Sequence, residues 1–174
     1  MTAPDTHGRF LALLDEHKGI VYKVASVYCR RPEDRPDLEQ EILIQLFRSF
    51  GTFDGRSRFS TWMYRVAMNV AISFYRSDRR TTAPLVPMEG SGIEIVAAAE
   101  PPAEIRQLRI FISQLDELNR ALILLYLEGH SQEEMAEVTG LTVTNVATKI
   151  SRIKDKLRLA FAKAAEQEND HGTR

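Results

Sequence analysis

Residues 131–158, SQEEMAEVTGLTVTNVATKISRIKDKLR, decide the fold. They begin with a capping box, in which Ser131 caps a helix start and Glu134 reaches back to it. Gly140 occupies the turn that follows, where a backbone with positive φ is expected, and Thr142 caps a second helix. A short capped helix, a glycine turn and a longer helix are typical of a helix-turn-helix that enters the major groove of DNA.

The second helix of this motif has an apolar inner row and a polar outer face. The inner row repeats at helical spacing and consists of Val143, Val146, Ile150, Ile153 and Leu157. The outer face, near the helix start, carries groups that match the donors and acceptors of base edges, on Thr144, Asn145, Thr148, Lys149 and Arg152. Farther along, Lys154, Lys156 and Arg158 are suited to neutralising phosphates. The alternative is a helical hairpin whose polar face contacts only water.

The composition is that of an ordinary globular protein, with 44% hydrophobic and 27% charged residues. No apolar run approaches the roughly 18 residues of a membrane span, and the first residues lack the apolar core of a signal peptide. The single cysteine, Cys29, excludes an internal disulfide, fits a reducing cytoplasm and is expected to be buried. The four histidines have no partners at metal-ligand spacing, so neither a metal nor a cofactor is expected.

Charge is unevenly distributed along a chain whose net charge is −1. Residues 48–80 contain seven Arg and two Asp, and residues 139–163 contain six Lys or Arg and one Asp. Between these blocks, residues 89–137 contain ten acidic residues and three Arg. Two basic blocks around an acidic one indicate two surfaces for polyanions, although charge runs are also common on faces that contact only solvent.

Helical periodicity covers almost everything outside the loops, and no strand pattern appears. An apolar stripe spans residues 9–30, and the next helix, from about 37 to 50, has a row of Leu38, Ile42, Leu46 and Phe50 with Leu43 and Phe47 beside it. A third helix, from Ser60 or Thr61 to about 78, has a predicted buried row of Trp62, Val66, Val70 and Phe74 opposite Arg65, Asn69, Ser73 and Arg76. Further helices are predicted at about 103–114, 117–128, 132–138 and 143–164.

Residues 81–103 contain four Pro, two Gly, three acidic residues and no basic residue. This composition is typical of a linker and predicts a domain boundary. We therefore predict an all-α protein with two small helical domains joined by an extended acidic linker. The predicted divisions are a first domain at 1–80, the linker at 81–103, a second domain at 104–166 and a disordered tail at 167–174.

Residues 53–80 combine cations with aromatic rings, the two means by which proteins hold single-stranded nucleic acid. The cations are Arg56, Arg58, Arg65, Arg76, Arg79 and Arg80. Asn69 carries an amide suited to reading a base that has been flipped out of the stack. Trp62 shares the apolar row and is expected in the core, whereas Phe53, on a loop, suits the core and a base contact equally.

Three stretches resemble the extracytoplasmic-function (group 4) sigma factors of bacterial RNA polymerase. Residues 37–41, DLEQE, are similar to the D-L-x-Q-E signature of sigma region 2, and residues 59–69, FSTWMYRVAMN, to its F-x-T-W-L-Y-R-I-A-x-N segment. Residues 127–136, LEGHSQEEMA, resemble the start of region 4, and residues 146–157 resemble its DNA helix. These matches keep the family's order and spacing over most of residues 10–160.

The resemblance implies an alternative sigma factor in the cytoplasm, a transcription initiation factor rather than an enzyme. Its implied partners are core RNA polymerase, promoter DNA and an anti-sigma factor, with no membrane insertion. Core polymerase would contact Asp37, Leu38, Gln40, Glu41 and Gln45. The minus-10 element would be melted and held by Phe53, Arg56, Arg58, Arg65, Asn69, Arg76, Arg79 and Arg80. The minus-35 duplex would be read by Ser131, Thr144, Asn145, Thr148, Lys149, Arg152, Lys154 and Lys156.

The resemblance also assigns two finer features. The Phe53 loop and Asn69 would form one pocket for a flipped minus-10 base, and the linker at 81–103 would pass through the polymerase channel. Two positions depart from the family pattern. Ala147 and Thr148 stand where many members have a cation followed by Ser, so one cationic contact is missing, and Glu39 replaces a commonly apolar residue.

Other classes of function fit parts of the sequence. A stand-alone helix-turn-helix regulator would bind duplex DNA tightly without polymerase. An adaptor that occupies polymerase or a regulator through its acidic surfaces would not need Lys149 or Arg152. An enzyme is the least supported class, since the sequence contains no evident nucleophile–base pair or phosphate-binding loop.

Overall fold

The computed structural model describes residues 6–29, 31–81 and 102–171, and it describes their side chains except at 78–81 and 167–171. Every regular element in these ranges is helical, which confirms the all-α prediction. One compact unit, Met1–Ile93, contains α1 (Thr6–His17), α2 (Gly19–Tyr28), α3 (Arg35–Ser49) and α4 (Phe59–Thr81), with 3-10 turns at Pro32–Asp34 and Phe50–Thr52. The other, Glu94–Arg174, contains α5 (Ala103–Ser113), α6 (Glu117–Leu127), α7 (Gln132–Thr139) and α8 (Val143–His171).

The predicted linker and tail overlap only partly with the described residues. α4 runs to Thr81 and α5 begins at Ala103, and residues 82–101 between them lie outside the described part of the chain. The prediction of disorder from residue 167 is wrong at its start, because α8 continues to His171. Residues 172–174 lie outside the described residues.

The core of the first unit forms where α3 and α4 pack against each other and both pack against α2. α3 contributes Leu38, Ile42 and Leu46, and the 3-10 turn that follows it contributes Phe50, and all four are buried as predicted. From α4, the small side chains of Ala67 and Ala71 are fully buried. Small residues allow two helix backbones to approach closely, so they favour this face of α4 at the contact.

The buried row of α4 differs from the prediction. Trp62 is buried as expected, but Val66, Val70 and Phe74 are only half-buried. From residue 63 to residue 75, the buried side chains are instead Met63, Tyr64, Ala67, Met68, Ala71 and Tyr75. Periodicity alone cannot distinguish two apolar rows that neighbour each other on one helix, and the packing of α4 against α2 and α3 decides which row is buried.

The structure adds two details to the predicted pattern of the first unit. The stripe across residues 9–30 forms two helices, since α1 ends at His17, Lys18 is a turn and Gly19 begins α2. Glycine inside a helix costs about 1 kcal/mol relative to alanine, which favours a boundary at this point. On α3, Leu43 and Phe47, which lie beside the core row in the sequence pattern, are exposed. Cys29 is buried, as predicted.

In the second unit, α6, α7 and α8 pack on one another, and α5 packs against α6 and α8. The largest fully buried side chains here are Leu122, Ile123, Leu125, Met135 and Val146. In the inner row of α8, Val146, Ile150 and Ile153 are buried as predicted. Val143 is exposed instead, as the first residue of the helix, and Leu157 is half-buried.

The local signals of the helix-turn-helix are all confirmed. The Glu134 N–H donates to Ser131 Oγ at 3.2 Å, and the Ser131 N–H donates to the Glu134 carboxylate at 3.0 Å. Gly140 ends α7 with φ 73°, and its N–H donates to the Ala136 carbonyl oxygen at 2.9 Å. Thr142 Oγ1 accepts from the Asn145 N–H at 3.2 Å. These bonds fix where α7 stops and α8 starts.

The Gly140→Ala variant is expected to unfold at a lower temperature than the wild type. A Cβ on a residue in the left-handed region costs about 1–2 kcal/mol, and this cost is absent from the unfolded chain. Thermal unfolding followed by circular dichroism measures the change. Gly51→Ala is the matched control, because Gly51 is not among the positive-φ glycines and an added Cβ there would meet nothing within 4 Å. Equal melting temperatures for the two variants would contradict the proposed strain.

Candidate nucleic-acid interfaces

The first turns of α8 present a polar face to solvent. Of the predicted base-reading residues, Thr144, Asn145, Thr148 and Arg152 are exposed and Lys149 is half-buried. The Thr148 hydroxyl donates to the Thr144 carbonyl oxygen at 3.0 Å, so it offers its lone pairs to a ligand. Ala147 is half-buried and contributes no polar group. The cations of this face are therefore Lys149 and Arg152.

Ser131 and Lys154, which were predicted to contact DNA, have partners inside the protein. The side chain of Ser131 is engaged in the capping box with Glu134. Lys154 Nζ lies 5.5 Å from the ring centroid of Tyr126, a cation–π contact that places the ammonium group beside the end of α6. This contact of Tyr126 was not predictable from the sequence, because its partner is 28 positions away along the chain. Lys156 is exposed.

A cluster of aromatic rings supports the loop between α3 and α4. The Phe53 ring stacks on Phe50 with centroids 6.2 Å apart, and its centroid lies 5.4 Å from that of Phe59 and 5.5 Å from that of Trp62. The other three rings are buried, whereas Phe53 is half-buried. Phe53 is thus anchored on the core by part of its ring and leaves the rest accessible. Trp62 belongs to the core, as predicted.

The same loop is shaped by Asp54. One carboxylate oxygen accepts from the Arg56 backbone N–H at 3.0 Å, and the other lies 3.1 Å from the Arg56 guanidinium. Gly55, between them, has φ 76°. The Arg56 side chain is 89% exposed, and exposed ion pairs contribute little stability. A phosphate therefore competes easily with Asp54 for this cation. Arg58 is also exposed.

The solvent face of α4 is a polar and basic stripe. Arg65, Asn69, Ser73 and Arg76 are all exposed, as predicted. Ser73 Oγ donates to the Asn69 carbonyl oxygen at 2.9 Å. The side chains of Arg79 and Arg80 lie outside the described residues. Two cations that flank an amide along one helix face suit a nucleic-acid strand whose phosphates and bases are contacted together.

A groove of about 470 Å³ lies between α3 and α4, beside this stripe. Its lining residues are Glu41, Gln45, Ser49, Val66, Asn69, Val70, Ser73 and Phe74. The groove brings together Glu41 and Gln45, predicted to contact polymerase, with Asn69, predicted to contact the minus-10 element. The described lining does not include Phe53. This groove is therefore not the single pocket of Phe53 and Asn69 that the resemblance implied.

The outer face of α3 carries most of the predicted polymerase contacts. Asp37, Gln40 and Glu41 are exposed. Leu38 is 0% exposed, so the prediction that it contacts a partner is wrong: its side chain fills the core. The same helix also carries an apolar patch that was not predicted, formed by Leu43, Ile44 and Phe47, which are 37%, 38% and 53% exposed.

No group of three or more His, Cys, Asp or Glu side chains among the described residues is arranged to hold a metal ion. None of the described helices combines the length and the apolar character that a membrane span requires.

Sequence comparison matches both units to one family. Residues 13–81 match sigma-70 region 2, and residues 105–157 match sigma-70, region 4. The ECF RNA polymerase sigma-E factor of Escherichia coli (strain K12) is 30% identical over 151 residues, which cover 78% of this chain and 79% of the relative. The RNA polymerase sigma factor SigV of Bacillus subtilis (strain 168) is 24% identical over 160 residues, which cover 91% of this chain and 94% of the relative.

Solved structures share the fold. CnrH, solved in complex with the cytosolic domain of CnrY, has a TM-score of 0.64 and 23% identity, and the match covers 88% of both chains. The sigma factor RpoE of Bartonella quintana, solved in complex with the anti-sigma factor NepR, has a TM-score of 0.64 and 16% identity, and the match covers 92% of this chain and 98% of that one.

The Leu38→Ala variant is expected to lose about 2–5 kcal/mol of unfolding free energy, the usual cost of a cavity at a fully buried leucine. Urea unfolding followed by the fluorescence of the single tryptophan, Trp62, reports on the first unit. Gln40→Ala, two residues away on the exposed face, serves as the control and is expected to change stability by less than about 0.5 kcal/mol. If Leu38→Ala unfolded like the wild type, Leu38 would be a surface residue.

Proposed function

Because the chain belongs to the extracytoplasmic-function sigma factors of the sigma-70 family, which are transcription initiation factors, we propose a division of labour between its two units. The first unit binds core RNA polymerase and captures the melted minus-10 element. The second reads the minus-35 duplex. The observation that carries this proposal is the presence of two separate polar, basic helix faces in one chain, at the start of α8 and along α4.

Recognition of the minus-35 element uses the start of α8. Asn145 and Arg152 supply amide and guanidinium groups that match base edges, and Thr144 and Thr148 supply hydroxyl groups. Lys149 and the exposed Lys156 neutralise phosphates, and Lys154 does so from its position over Tyr126. Ser131 acts indirectly, since its hydroxyl caps α7 and thereby fixes the turn before the recognition helix.

Capture of the minus-10 element uses α4 and the loop before it. Arg65 and Arg76 hold strand phosphates along the solvent face of α4, and Arg56 and Arg58 do so from the loop. Arg79 and Arg80 continue this basic run in the sequence. Phe53 provides a ring, anchored by Phe50 and Trp62, on which an unstacked base can stack.

Binding to core polymerase uses the outer face of α3. Its exposed apolar patch, Leu43, Ile44 and Phe47, lies next to the polar residues Asp37 and Gln40. An apolar centre with a polar border is the usual anatomy of a protein interface, in which the buried apolar residues contribute most of the affinity. The Phe47 ring packs edge-on against the rings of His7 and Phe10, with ring centroids 5.5 and 5.6 Å from its own.

The proposal also covers where the protein acts, its lack of catalysis, its control and the role of residues 81–103. The factor acts in the cytoplasm, has no catalytic role of its own and is controlled by an anti-sigma protein. The acidic residues 81–103 pass through the polymerase channel as a displaceable mimic of nucleic acid. The shared fold of the sigma factor RpoE, solved with the anti-sigma factor NepR, and of CnrH, solved with the cytosolic domain of CnrY, supports control by a protein partner. The absence of any basic residue from 81–103 supports the role of these residues as a mimic of nucleic acid.

Run-off transcription with core polymerase and genomic promoter fragments tests the proposal. The purified chain is expected to bind core and to produce promoter-specific transcripts, whereas core alone gives none. A stand-alone regulator would instead bind duplex DNA tightly without polymerase and yield no new transcript. That result, together with no binding to core, would refute the proposal.

The Arg152→Ala variant is expected to reduce initiation from promoters with an intact minus-35 element. The loss corresponds to about 1–3 kcal/mol of base or phosphate contact, measured as the rate of open-complex formation at fixed salt. Lys163→Ala removes an exposed cation from the far part of α8 and is the control. On a promoter with a scrambled minus-35 element, Arg152→Ala and the wild type are expected to perform equally. A similar loss on both promoters would contradict a minus-35 role.

A further inference from the structure

The groove between α3 and α4 has the chemistry of a base-binding site. Val66, Val70 and Phe74 give it an apolar lining, and the amides of Gln45 and Asn69 both belong to its wall. Its volume of about 470 Å³ lies within the range of about 300–1,000 Å³ that small-ligand sites occupy. An apolar lining with a few polar groups is what a flat aromatic ligand with hydrogen-bonding edges requires.

The charges around the groove favour a base over a phosphate. None of the described residues that line it is Lys or Arg, and Glu41 contributes a carboxylate. A phosphate is repelled by that carboxylate, whereas the exocyclic amine of adenine or cytosine can donate to it. Arg65 and Arg76 lie outside the groove on the exposed stripe of α4. A strand that follows these cations places its backbone on the stripe and one base in the groove.

Gln45 is held in position within this groove. Its Nε2 donates to Ser49 Oγ at 3.1 Å, one turn farther along α3, and its side chain is half-buried. A primary amide has a second N–H and a carbonyl oxygen, so a held Gln45 can still donate to and accept from a base edge. Asparagine and glutamine amides pair in this way with adenine.

We propose that Gln45 is a specificity-determining residue for the minus-10 element, acting with Asn69 on the same base, and that it is not a polymerase contact. This inference rests on the proposed function and deepens it. It separates residues of α3 that were all predicted to contact polymerase: Gln40 faces outward to the polymerase, whereas Glu41 and Gln45 face α4 and the DNA. The base selected carries an exocyclic amine, because Glu41 accepts from it.

The experiment uses the full chain with core polymerase and a promoter library in which the minus-10 element is randomised. Sequencing the transcripts gives the base preference at each position. Gln45→Leu is expected to weaken the preference at one position by about 5- to 100-fold, and Asn69→Ala to weaken it at that same position. Affinity for core is expected to stay at the wild-type value. Gln114→Leu makes the same change at an exposed glutamine outside both proposed interfaces and is expected to leave every base preference intact.

Each contrary result has a distinct meaning. Unchanged base preference in Gln45→Leu, or a uniform loss at all positions with weaker core binding, would overturn the inference. Effects of Gln45→Leu and Asn69→Ala at different positions would overturn the shared base. If Gln45→Leu unfolds at a lower temperature than the wild type, Gln45→Glu is tested in its place. This variant keeps the shape of the side chain and removes the amide donors, and it must change the base preference at the same position. If the wild-type holoenzyme gives no promoter-specific transcript, the proposed function fails instead.

Discussion

The buried row of α3 is the constraint on which the first unit depends. Leu38, Ile42 and Leu46 are fully buried where α3 packs with α2 and α4, and a helix places every other row at a fixed angle from this one. The row 41, 45 and 49 therefore faces the groove beside α4, while Leu43, Ile44 and Phe47 face outward. One apolar row thus assigns two partner surfaces to a single helix, one suited to protein and one to nucleic acid.

In the second unit, too, buried residues determine which side chains of a helix are exposed, and caps and a glycine turn add to this control. Val146, Ile150 and Ile153 fix the rotation of α8 about its axis, and the capping box, the left-handed Gly140 and the Thr142 cap fix where the helix begins. Both settings are needed before an exposed residue at its start can reach a base edge. The residues that contact no DNA therefore determine which residues do.

Local chemistry made much of this fold predictable, and packing explains the rest. Caps, turns and the buried row of α3 follow from neighbouring residues, so the sequence was sufficient for them. The buried face of α4 was not predictable, because two apolar rows lie side by side and only the partner helices decide between them. The motif DLEQE was assigned to polymerase as a block, whereas a helix points Leu38 into the core and turns Gln40 outward. The groove lined by Gln45 and Asn69 was not predictable either, because it forms only where α3 packs against α4.

The charge distribution explains why two surfaces that bind DNA weakly select a promoter better than one surface that binds DNA tightly. Each basic block is matched by acidic residues elsewhere, so the net charge of −1 limits binding to DNA at random. Each surface offers only a few cations, so the sequence-independent part of its affinity for duplex DNA is small, since that part grows with the number of phosphates neutralised. Because both surfaces belong to one chain, engagement of the first raises the effective concentration of the second, and the gain exists only where both elements are spaced to be bound at once. Selectivity for a promoter then comes from the requirement for two weak contacts together, which random sequence rarely satisfies.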